Sequence, residues 1–200
     1  MPSKTRSNNT GFCKGMGMAG GGGEKMNVDE AKQKFEEAGY ETWITERERM
    51  AGVRNKVARK TLWVRVQKEK FREAMQFFKD MADQYPHFSI ISCTDLGSNV
   101  ELNYHFALGY GSHLEEYVVT FKVSLPKDDL EIDSITDIFP AVIYSEREIQ
   151  EMMGVTVKNI PDGRHMFLTK DFPSGIYPWR RDESGVKETN KLYERWKDEA

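Results

Sequence analysis

Apolar residues at helical spacing predict a first helix directly after residue 26. They recur every three to four positions, which places them on one side of a helix, at Val28, Ala31, Phe35 and Ala38. Asn27 stands before this run and Glu30 follows three residues later, the arrangement of a capping box. Gly39 supplies the end, since glycine commonly follows the last turn of a helix.

Alternation of apolar and polar residues predicts the strands of a sheet. Two early strands are expected at 40–44 and 61–66, joined by a basic loop. Three later segments are separated by turn-forming glycines and predict an antiparallel meander. These segments are 88–93, 100–108 and 117–125.

Two further helices are predicted after the second strand. Residues 68–85 carry an apolar stripe that should pack on the sheet. Its members are Phe71, Ala74, Met75, Phe78, Met81 and Ala82. Residues 140–153 form the next helix, and Gly154 is expected to end it in the left-handed conformation typical of helix C-termini.

These elements together predict an α+β fold, with a mostly antiparallel or mixed sheet and helices packed on one face. The folded domain is expected at 27–158. A Gly-rich and Met-rich tail at 1–26 precedes it, and its composition predicts that only partners order it. An irregular C-terminal docking arm at 159–200 follows, with a short terminal helix at 187–198.

Composition narrows the class of protein. Only two of the 200 residues are cysteines, too few for a disulfide framework, which favours a reducing compartment. No stretch reaches the roughly 18 apolar residues that a membrane-spanning helix needs. The chain itself is therefore not expected to cross a bilayer.

Charge is segregated along the chain, although its formal net value is only -3. Residues 47–72 contain ten basic and two acidic residues, whereas residues 115–151 contain three basic and ten acidic residues. Two interpretations follow. The segments dock on large charged surfaces of other molecules, or they neutralise each other within the fold.

The sequence offers no recognisable catalytic, cofactor-binding or metal site. The four histidines stand at no metal-ligand spacing, and His105, at a strand position, is expected to be structural. The G-x-G-x-x-G pattern at 15–20 lacks the preceding strand that a dinucleotide site requires. The acidic group at 128–133 is interpreted as a solvated turn. We therefore predict a non-catalytic chain that holds no cofactor of its own.

A nucleic-acid-binding accessory role is the alternative from another class. The basic segment from Arg47 to Arg72 could contact phosphates, with Trp63 available for stacking. A sequence pI of about 5.9 and the lack of a recognisable nucleic-acid module oppose this role.

The strongest functional signal lies between residues 136 and 182. The predicted helix at 140–153 is crowded with charges at Glu146, Arg147, Glu148 and Glu151, and an amphipathic helix with a solvated face is the simpler interpretation. The arm that follows combines prolines with aromatic and arginine side chains, the residues that anchor permanent interfaces. These candidates are Phe172, Tyr177, Trp179, Arg180 and Arg181.

This region resembles the 30 kDa subunit family of respiratory complex I. The similarity spans about 61–182 and rests on a series of motif positions. They are Asp137, Phe139, Pro140, Glu146, Arg147, Glu148, Glu151, Arg164, Asp171, Phe172 and Pro173. The segment from Asp171 to Pro178 is more similar to the homologous subunits of archaeal membrane-bound hydrogenase and sulfane-sulfur reductase complexes.

The resemblance implies a cofactor-free peripheral subunit on the cytoplasmic face of the cell membrane. The implied partners are a nickel-iron hydrogenase-like large subunit and iron-sulfur subunits of an ion-translocating complex, with ferredoxin as electron donor. The chain would brace the large subunit near the terminal iron-sulfur cluster. The 30 kDa subunit of an NADH or other donor:quinone oxidoreductase is the alternative within the family.

The resemblance also suggests roles for the candidate residues. The four charged residues of the helix, Glu146, Arg147, Glu148 and Glu151, would organise the domain and meet the partner. The aromatic and arginine residues of the arm would dock it. This hypothesis requires Arg147 to be buried, because exposed ion pairs contribute only about 0 to 1 kcal/mol.

Overall fold

A computed structural model describes residues 25–51, 55–111 and 115–186. Within these ranges the α-helices are α1 (Val28–Glu37), α2 (Phe71–Met81) and α3 (Ile143–Met153). The strands are β1 (Glu41–Ala51), β2 (Asn55–Val66), β3 (His87–Asp95), β4 (Asn99–Leu108), β5 (Tyr117–Pro126), β6 (Glu131–Asp133) and β7 (Thr156–Lys158). Short 3-10 turns at Lys68–Lys70 and Pro140–Val142 lead into α2 and α3. The predicted tail as far as residue 24 and the predicted helix at 187–198 lie outside the described residues.

The first helix begins at the predicted capping box. The Asn27 side chain accepts hydrogen bonds from the backbone N–H groups of Asp29 and Glu30, each at 2.9 Å. The Glu30 carboxylate accepts one from the backbone N–H of Asn27 at 3.1 Å. Gly39 has a φ of +85°, so its left-handed backbone turns the chain from α1 into β1. The predicted start and end of this helix are confirmed.

Five strands form one mixed sheet in the order β1-β2-β5-β4-β3. The pairs β3 with β4 and β4 with β5 are antiparallel, which confirms the predicted meander. The strands β2 and β5 pair in parallel, with Thr61 opposite Val118. A parallel pair requires a long crossover connection, which here consists of α2, β3 and β4. The short strands β6 and β7 form a separate parallel pair, connected through α3.

The hydrophobic core lies between one face of this sheet and the helices. The ring of Phe78 in α2 packs against Phe106 of β4 at 5.3 Å and Phe121 of β5 at 5.0 Å. Phe35 of α1 meets Phe121 at 5.6 Å, and Phe139, just before α3, lies 4.8 Å from Phe106. All five rings are buried, and aromatic burial of this kind dominates core energetics. The predicted α+β fold with helices on one face is confirmed.

The segment predicted as a basic loop between the first two strands is instead strand. The strands β1 and β2 continue as one long antiparallel hairpin, in register from Glu41 opposite Arg65 to Ala51 opposite Asn55. The strand pattern was hidden because charged residues occupy both faces of the hairpin, so no apolar stripe marks the buried side.

The two oppositely charged segments partly neutralise each other. Three ion pairs join 47–72 to 115–151, and they are Arg59 with Glu116 at 3.3 Å, Lys68 with Asp129 at 2.5 Å and Arg72 with Asp137 at 2.6 Å. Each has at least one partner that is substantially exposed, so each contributes only about 0 to 1 kcal/mol. Mutual neutralisation thus accounts for part of the charge segregation, and the face that carries Arg47 is treated separately below.

Replacing Asn27 with Ala should lower the free energy of unfolding by about 1 kcal/mol, because two backbone N–H groups lose their acceptor. Replacement with Asp keeps an acceptor oxygen at the same position and should leave stability close to that of the wild type. Urea denaturation of the three proteins measures the difference. Equal stability of the Ala and Asp variants would contradict the capping interaction.

Candidate functional site

The carboxylate of Glu146, in α3, is completely buried. One oxygen accepts a hydrogen bond from the Ser134 hydroxyl at 2.6 Å, and the other accepts one from the backbone N–H of Ile135 at 2.9 Å. Burial raises the pKa of Glu146, and these two hydrogen bonds oppose the rise without cancelling it. Glu146 therefore ties α3 to the chain segment that follows β6.

Asp137 lies outside this buried contact, on the surface. The Arg72 guanidinium donates two hydrogen bonds to it, at 2.6 and 3.1 Å, and also donates to the backbone carbonyl of Ser134. The guanidinium lowers the pKa of Asp137 below its ordinary value. The pair joins α2 to the same segment that Glu146 holds from the other side.

A second buried carboxylate, that of Glu151, binds the backbone of the arm. It accepts hydrogen bonds from three successive N–H groups, those of Met166, Phe167 at 2.8 Å and Leu168 at 3.2 Å. A buried carboxylate is tolerated only where such donors replace its lost hydration. The contact fixes the path of residues 166–168, which have no regular secondary structure.

Arg147 holds the backbone just before this point. Its Nε donates to the carbonyl of Arg164 at 2.8 Å and one Nη donates to the carbonyl of His165 at 3.2 Å. The Arg147 side chain is only 12% exposed, as the hypothesis requires. Because Arg147 and Glu151 lie one turn apart on α3, they bind carbonyl and N–H groups of the same segment. We call residues 162–168 the clamped segment.

Arg164 does not point into this contact. Its side chain is 85% exposed and forms a two-pronged pair with Asp162, at 2.8 and 2.7 Å. The guanidinium holds the pKa of Asp162 well below its usual range. The motif position at Arg164 therefore shapes the clamped segment from outside.

Glu148 faces the opposite side of α3 from Arg147, towards the sheet. Burial raises its pKa. Burial and the charge of Glu148 together raise the pKa of the Cys93 thiol to about 12, so this thiol stays protonated at neutral pH.

The arm returns to cap the C-terminus of α3. Gly154 adopts a φ of +68°, which confirms the predicted helix end, and the Tyr177 ring packs directly on it. Arg180 is buried and donates its Nε to the carbonyl of Met153 at 2.6 Å, while the N–H of Trp179 donates to the carbonyl of Met152 at 3.0 Å. A cation at the carbonyl end of a helix also suits its dipole.

An ion network that the sequence did not indicate anchors the same arm to the sheet. Lys127, after β5, bonds to Asp95 at the end of β3 at 2.9 Å and also to Asp182 in the arm. Asp95 accepts a further hydrogen bond from the backbone N–H of Arg181 at 3.0 Å. Burial opposes ionisation of Asp95, yet its hydrogen bonds lower its pKa overall. These residues are far apart in the sequence and share no motif, so no local signal could have found them.

The predicted site residues therefore separate into two groups. Buried in intrachain contacts are Phe139, Glu146, Glu151 and Arg180, with Arg147 and Tyr177 partly covered. At the surface are Asp137, Pro140, Arg164, Asp171, Pro173, Trp179 and Arg181, with Glu148 and Phe172 half-buried. Docking of this arm on a partner stays a prediction, and the structure adds that the arm first folds onto its own chain.

Three exposed aromatic side chains lie on α3 or on the arm that is bound to it. Trp179 is 43% exposed, Phe167 is 56% exposed and Tyr144 is 64% exposed. Tyr144 lies in the first turn of α3, while Phe167 and Trp179 are held by backbone bonds to that helix. We call them the aromatic triad. Sequence reasoning singled out only Trp179, because nothing local distinguishes an exposed aromatic residue from a buried one.

His105 is engaged as a structural residue would be. Its ring nitrogens bond to Ser92 at 2.8 Å and Thr120 at 2.9 Å, and burial lowers its pKa. Within the described ranges, no three His, Cys, Asp or Glu side chains are placed to hold a metal ion. No helix in the described part of the chain is long and apolar enough to span a membrane.

Comparison with known proteins places this fold and its motif residues in one family. The family model described as the 30 kDa subunit of respiratory-chain NADH dehydrogenase matches residues 64–189. The chain belongs to this family. It is 38% identical over 134 residues to membrane-bound hydrogenase subunit beta of Pyrococcus furiosus, which covers 67% of this chain and 76% of that protein.

Two further relatives extend the comparison. A subunit of the F(420)H(2) dehydrogenase of Methanosarcina mazei is 31% identical over 122 residues, covering 60% of this chain and 73% of that protein. A chain from the structure of the membrane-bound sulfane sulfur reductase, an archaeal respiratory membrane complex, superposes with a TM-score of 0.59 at 22% identity. That match covers 83% of this chain and 90% of the other, and it confirms the fold.

Replacing Gly154 with Ala should destabilise the chain by about 2 kcal/mol. The positive φ alone costs an L-residue about 1 to 2 kcal/mol, and the new Cβ would lie 2.5 Å from the Tyr177 ring. Gly163→Ala is the matched control, since its Cβ would meet neighbours at 3.6 Å. That control should change stability by less than about 0.5 kcal/mol in the same denaturation experiment. Equal effects of the two variants would exclude the Tyr177 contact as the cause.

Replacing Glu146 with Gln should remove a pH dependence of stability. Because folding raises the pKa of Glu146 above its ordinary value of 4.5, the folded chain binds this proton more tightly than the unfolded chain. The stability that this proton provides is lost as pH rises. Gln keeps both hydrogen bonds, since the Ser134 hydroxyl can accept from the amide. The stability of the variant relative to the wild type should therefore rise between about pH 4 and pH 7.

The control for this experiment is Glu146→Ala. It leaves the buried Ile135 N–H without its acceptor, so it should lower the free energy of unfolding by about 1 to 3 kcal/mol. A difference between wild type and Glu146→Gln that does not vary with pH would show that the carboxylate is not held against its charged form.

Proposed function

We propose that the chain is a non-catalytic, peripheral subunit of a membrane-bound, ion-translocating oxidoreductase complex of the hydrogenase or sulfane reductase type. In this role its α3 surface braces a nickel-iron hydrogenase-like large subunit near the terminal iron-sulfur cluster. The chain lies at the cytoplasmic face of the membrane, and the complex takes electrons from ferredoxin. The iron-sulfur clusters belong to partner subunits, and this chain holds no cofactor.

The aromatic triad is the observation that carries this proposal. An exposed aromatic side chain on a mobile loop would lose conformational entropy on binding, whereas Phe167 and Trp179 are already fixed to α3 through their backbone N–H groups. Aromatic residues are enriched where interfaces bury their central contacts. Arg181, exposed in the same arm, adds a cation at the edge of this surface.

The choice of complex rests on the relatives. The identity of 38% to a protein named as a membrane-bound hydrogenase subunit exceeds the 31% identity to the F(420)H(2) dehydrogenase subunit. Both names describe subunits of oxidoreductases, and family members with such names are expected to share a mode of assembly. This comparison favours the hydrogenase type over the quinone-reducing alternative.

The test is recovery of partner subunits with the tagged full-length chain from detergent-solubilised membranes of its native host. The wild type should recover a nickel-iron hydrogenase-like large subunit and iron-sulfur subunits. The double variant Phe167→Ser with Trp179→Ser should recover about tenfold less or lower, because truncated aromatic anchors are the most costly interface changes. Both side chains are exposed, so thermal stability should stay near that of the wild type.

Ile90→Ser provides the matched control. Ile90 is 48% exposed but lies on β3 opposite His105, on the open face of the sheet away from α3. It should leave recovery of the large subunit unchanged. A wild-type chain that recovers no oxidoreductase subunit, or a double variant that recovers the large subunit in full, would overturn the proposal.

A further inference from the structure

The hairpin of β1 and β2 reaches beyond the sheet. The strand β2 pairs with β5 only from Thr61 to Val66, whereas β1 and β2 stay paired as far as Ala51 and Asn55. Among the residues that the structure describes, no third strand borders 45–51 and 55–60, which we call the projecting ribbon. A two-stranded hairpin is marginally stable by itself in water. A ribbon of this length therefore gains most from contacts outside its own fold.

One face of the projecting ribbon brings two like charges together. Arg47 and Arg59 lie directly opposite each other in the strand register, and like charges in this position destabilise a strand pair. Arg59 has an acidic neighbour, Glu116, at 3.3 Å. Within the described part of the chain, Arg47 makes no hydrogen bond or ion pair. The arginine pair thus has more positive charge than the fold itself compensates.

The opposite face of the ribbon is compensated. Lys56 pairs with Glu48 at 3.0 Å. Lys60 lies opposite Glu46 in the register and 3.9 Å from Asp29 of α1. The excess of positive charge is therefore confined to the face that carries Arg47 and Arg59.

A groove on the open face of the sheet adjoins the arginine pair. Its lining includes both arginines with Val57, Trp63, His105 and Val118. The floor is rigid, because the Trp63 indole N–H donates to Thr45 at 2.9 Å and His105 is bonded to its neighbouring strands on both sides. The groove thus combines two cations with two valine side chains on a fixed surface.

The aromatic residues of this face are not available to stack on bases. Trp63 is stacked on Trp43, with centroids 5.8 Å apart and planes at 4°. His105 meets Trp63 edge-on at 6.4 Å, and the Arg65 guanidinium lies over Trp43 at 5.5 Å. Binding of single-stranded nucleic acid requires free aromatic faces beside the cations. The surface is better suited to a protein segment that carries carboxylates beside apolar side chains.

We propose that the Arg47–Arg59 face of the projecting ribbon and the adjoining groove dock an acidic segment of a neighbouring protein subunit. The guanidinium groups bind carboxylates in two-pronged pairs, and Val57 and Val118 pack against apolar side chains of that segment. The site lies on the face of the sheet opposite the helices. It rests on the proposed function in one respect, namely that the chain is held within a multi-subunit complex.

Photo-crosslinking within the native complex locates the partner. A photoreactive amino acid replaces Val57 in the full-length chain, and the matched control replaces Lys56 on the compensated face. The Val57 position should crosslink at least several-fold more to a peptide of another subunit, rich in Asp and Glu. Crosslinks to nucleic acid, to a second copy of this chain or to no partner at all would overturn the proposal.

Charge removal tests the arginine pair. Arg47→Gln with Arg59→Gln should weaken association with the complex about tenfold or more, as loss of charge partners at interfaces does, and the loss should be smaller at high salt. Lys56→Gln with Lys60→Gln removes the same charge from the opposite face and should leave association unchanged. The melting temperature of the Arg47 and Arg59 double variant should stay the same or rise, because it relieves like-charge repulsion. A fall in melting temperature that accompanies the loss of association, or unchanged association, would refute the assignment.

The two proposals fail in distinguishable ways. A wild-type chain that recovers no oxidoreductase subunit removes the proposed function. A wild-type chain that recovers the complex, alongside an Arg47→Gln and Arg59→Gln variant that recovers it equally well, removes only the ribbon site. Binding of a fluorescent single-stranded oligonucleotide by the wild-type chain that this double variant abolishes would assign the ribbon to nucleic acid instead.

Discussion

Two buried carboxylates on one helix hold the functional half of this molecule together. A carboxylate removed from water must find hydrogen-bond donors, or its burial costs several kcal/mol. In α3, Glu146 finds them at Ser134 and Ile135, and Glu151 finds them in three successive backbone N–H groups of the clamped segment. Each carboxylate therefore fixes a loop that has no regular structure to fix itself. The positions of the motif residues around α3 follow from these two contacts.

The arm shows how a chain with little regular structure becomes a defined surface. Arg147 binds carbonyls where Glu151 binds N–H groups, so the clamped segment is held through both kinds of backbone group. Farther along, Arg180 and the Trp179 N–H satisfy carbonyls at the end of α3, and Lys127 joins the arm to the sheet. Buried polar networks of this kind are stable only when each member is satisfied. The exposed side chains of the aromatic triad are thereby presented on a fixed backbone.

The charge pattern has more than one physical role. Part of the basic segment serves the fold through ion pairs such as Arg72 with Asp137, which is also a motif position. Another part, at Arg47 and Arg59, opposes the stability of its own hairpin and is not balanced on its own face. Surface charges that work against the fold are better explained by association, since electrostatic complementarity mainly controls specificity and encounter rate. The helix side and the open sheet side thus offer two chemically different surfaces.

Much of the local structure was determined by the sequence itself. The capping box at Asn27, the apolar stripe containing Phe78 and the stop at Gly154 depend on residues within one or two turns, so their spacing was sufficient to predict them. The charged group from Glu146 to Glu151 could be recognised as a motif, but not the separate contacts that each member makes. Only the tertiary structure decided the parallel pairing of β2 with β5, the long β1–β2 hairpin, the folding of the arm onto α3 and the network of Lys127, Asp95 and Asp182. These contacts join residues far apart in the chain, and their free energy comes from burial and charge pairing that exist only once the whole fold has formed.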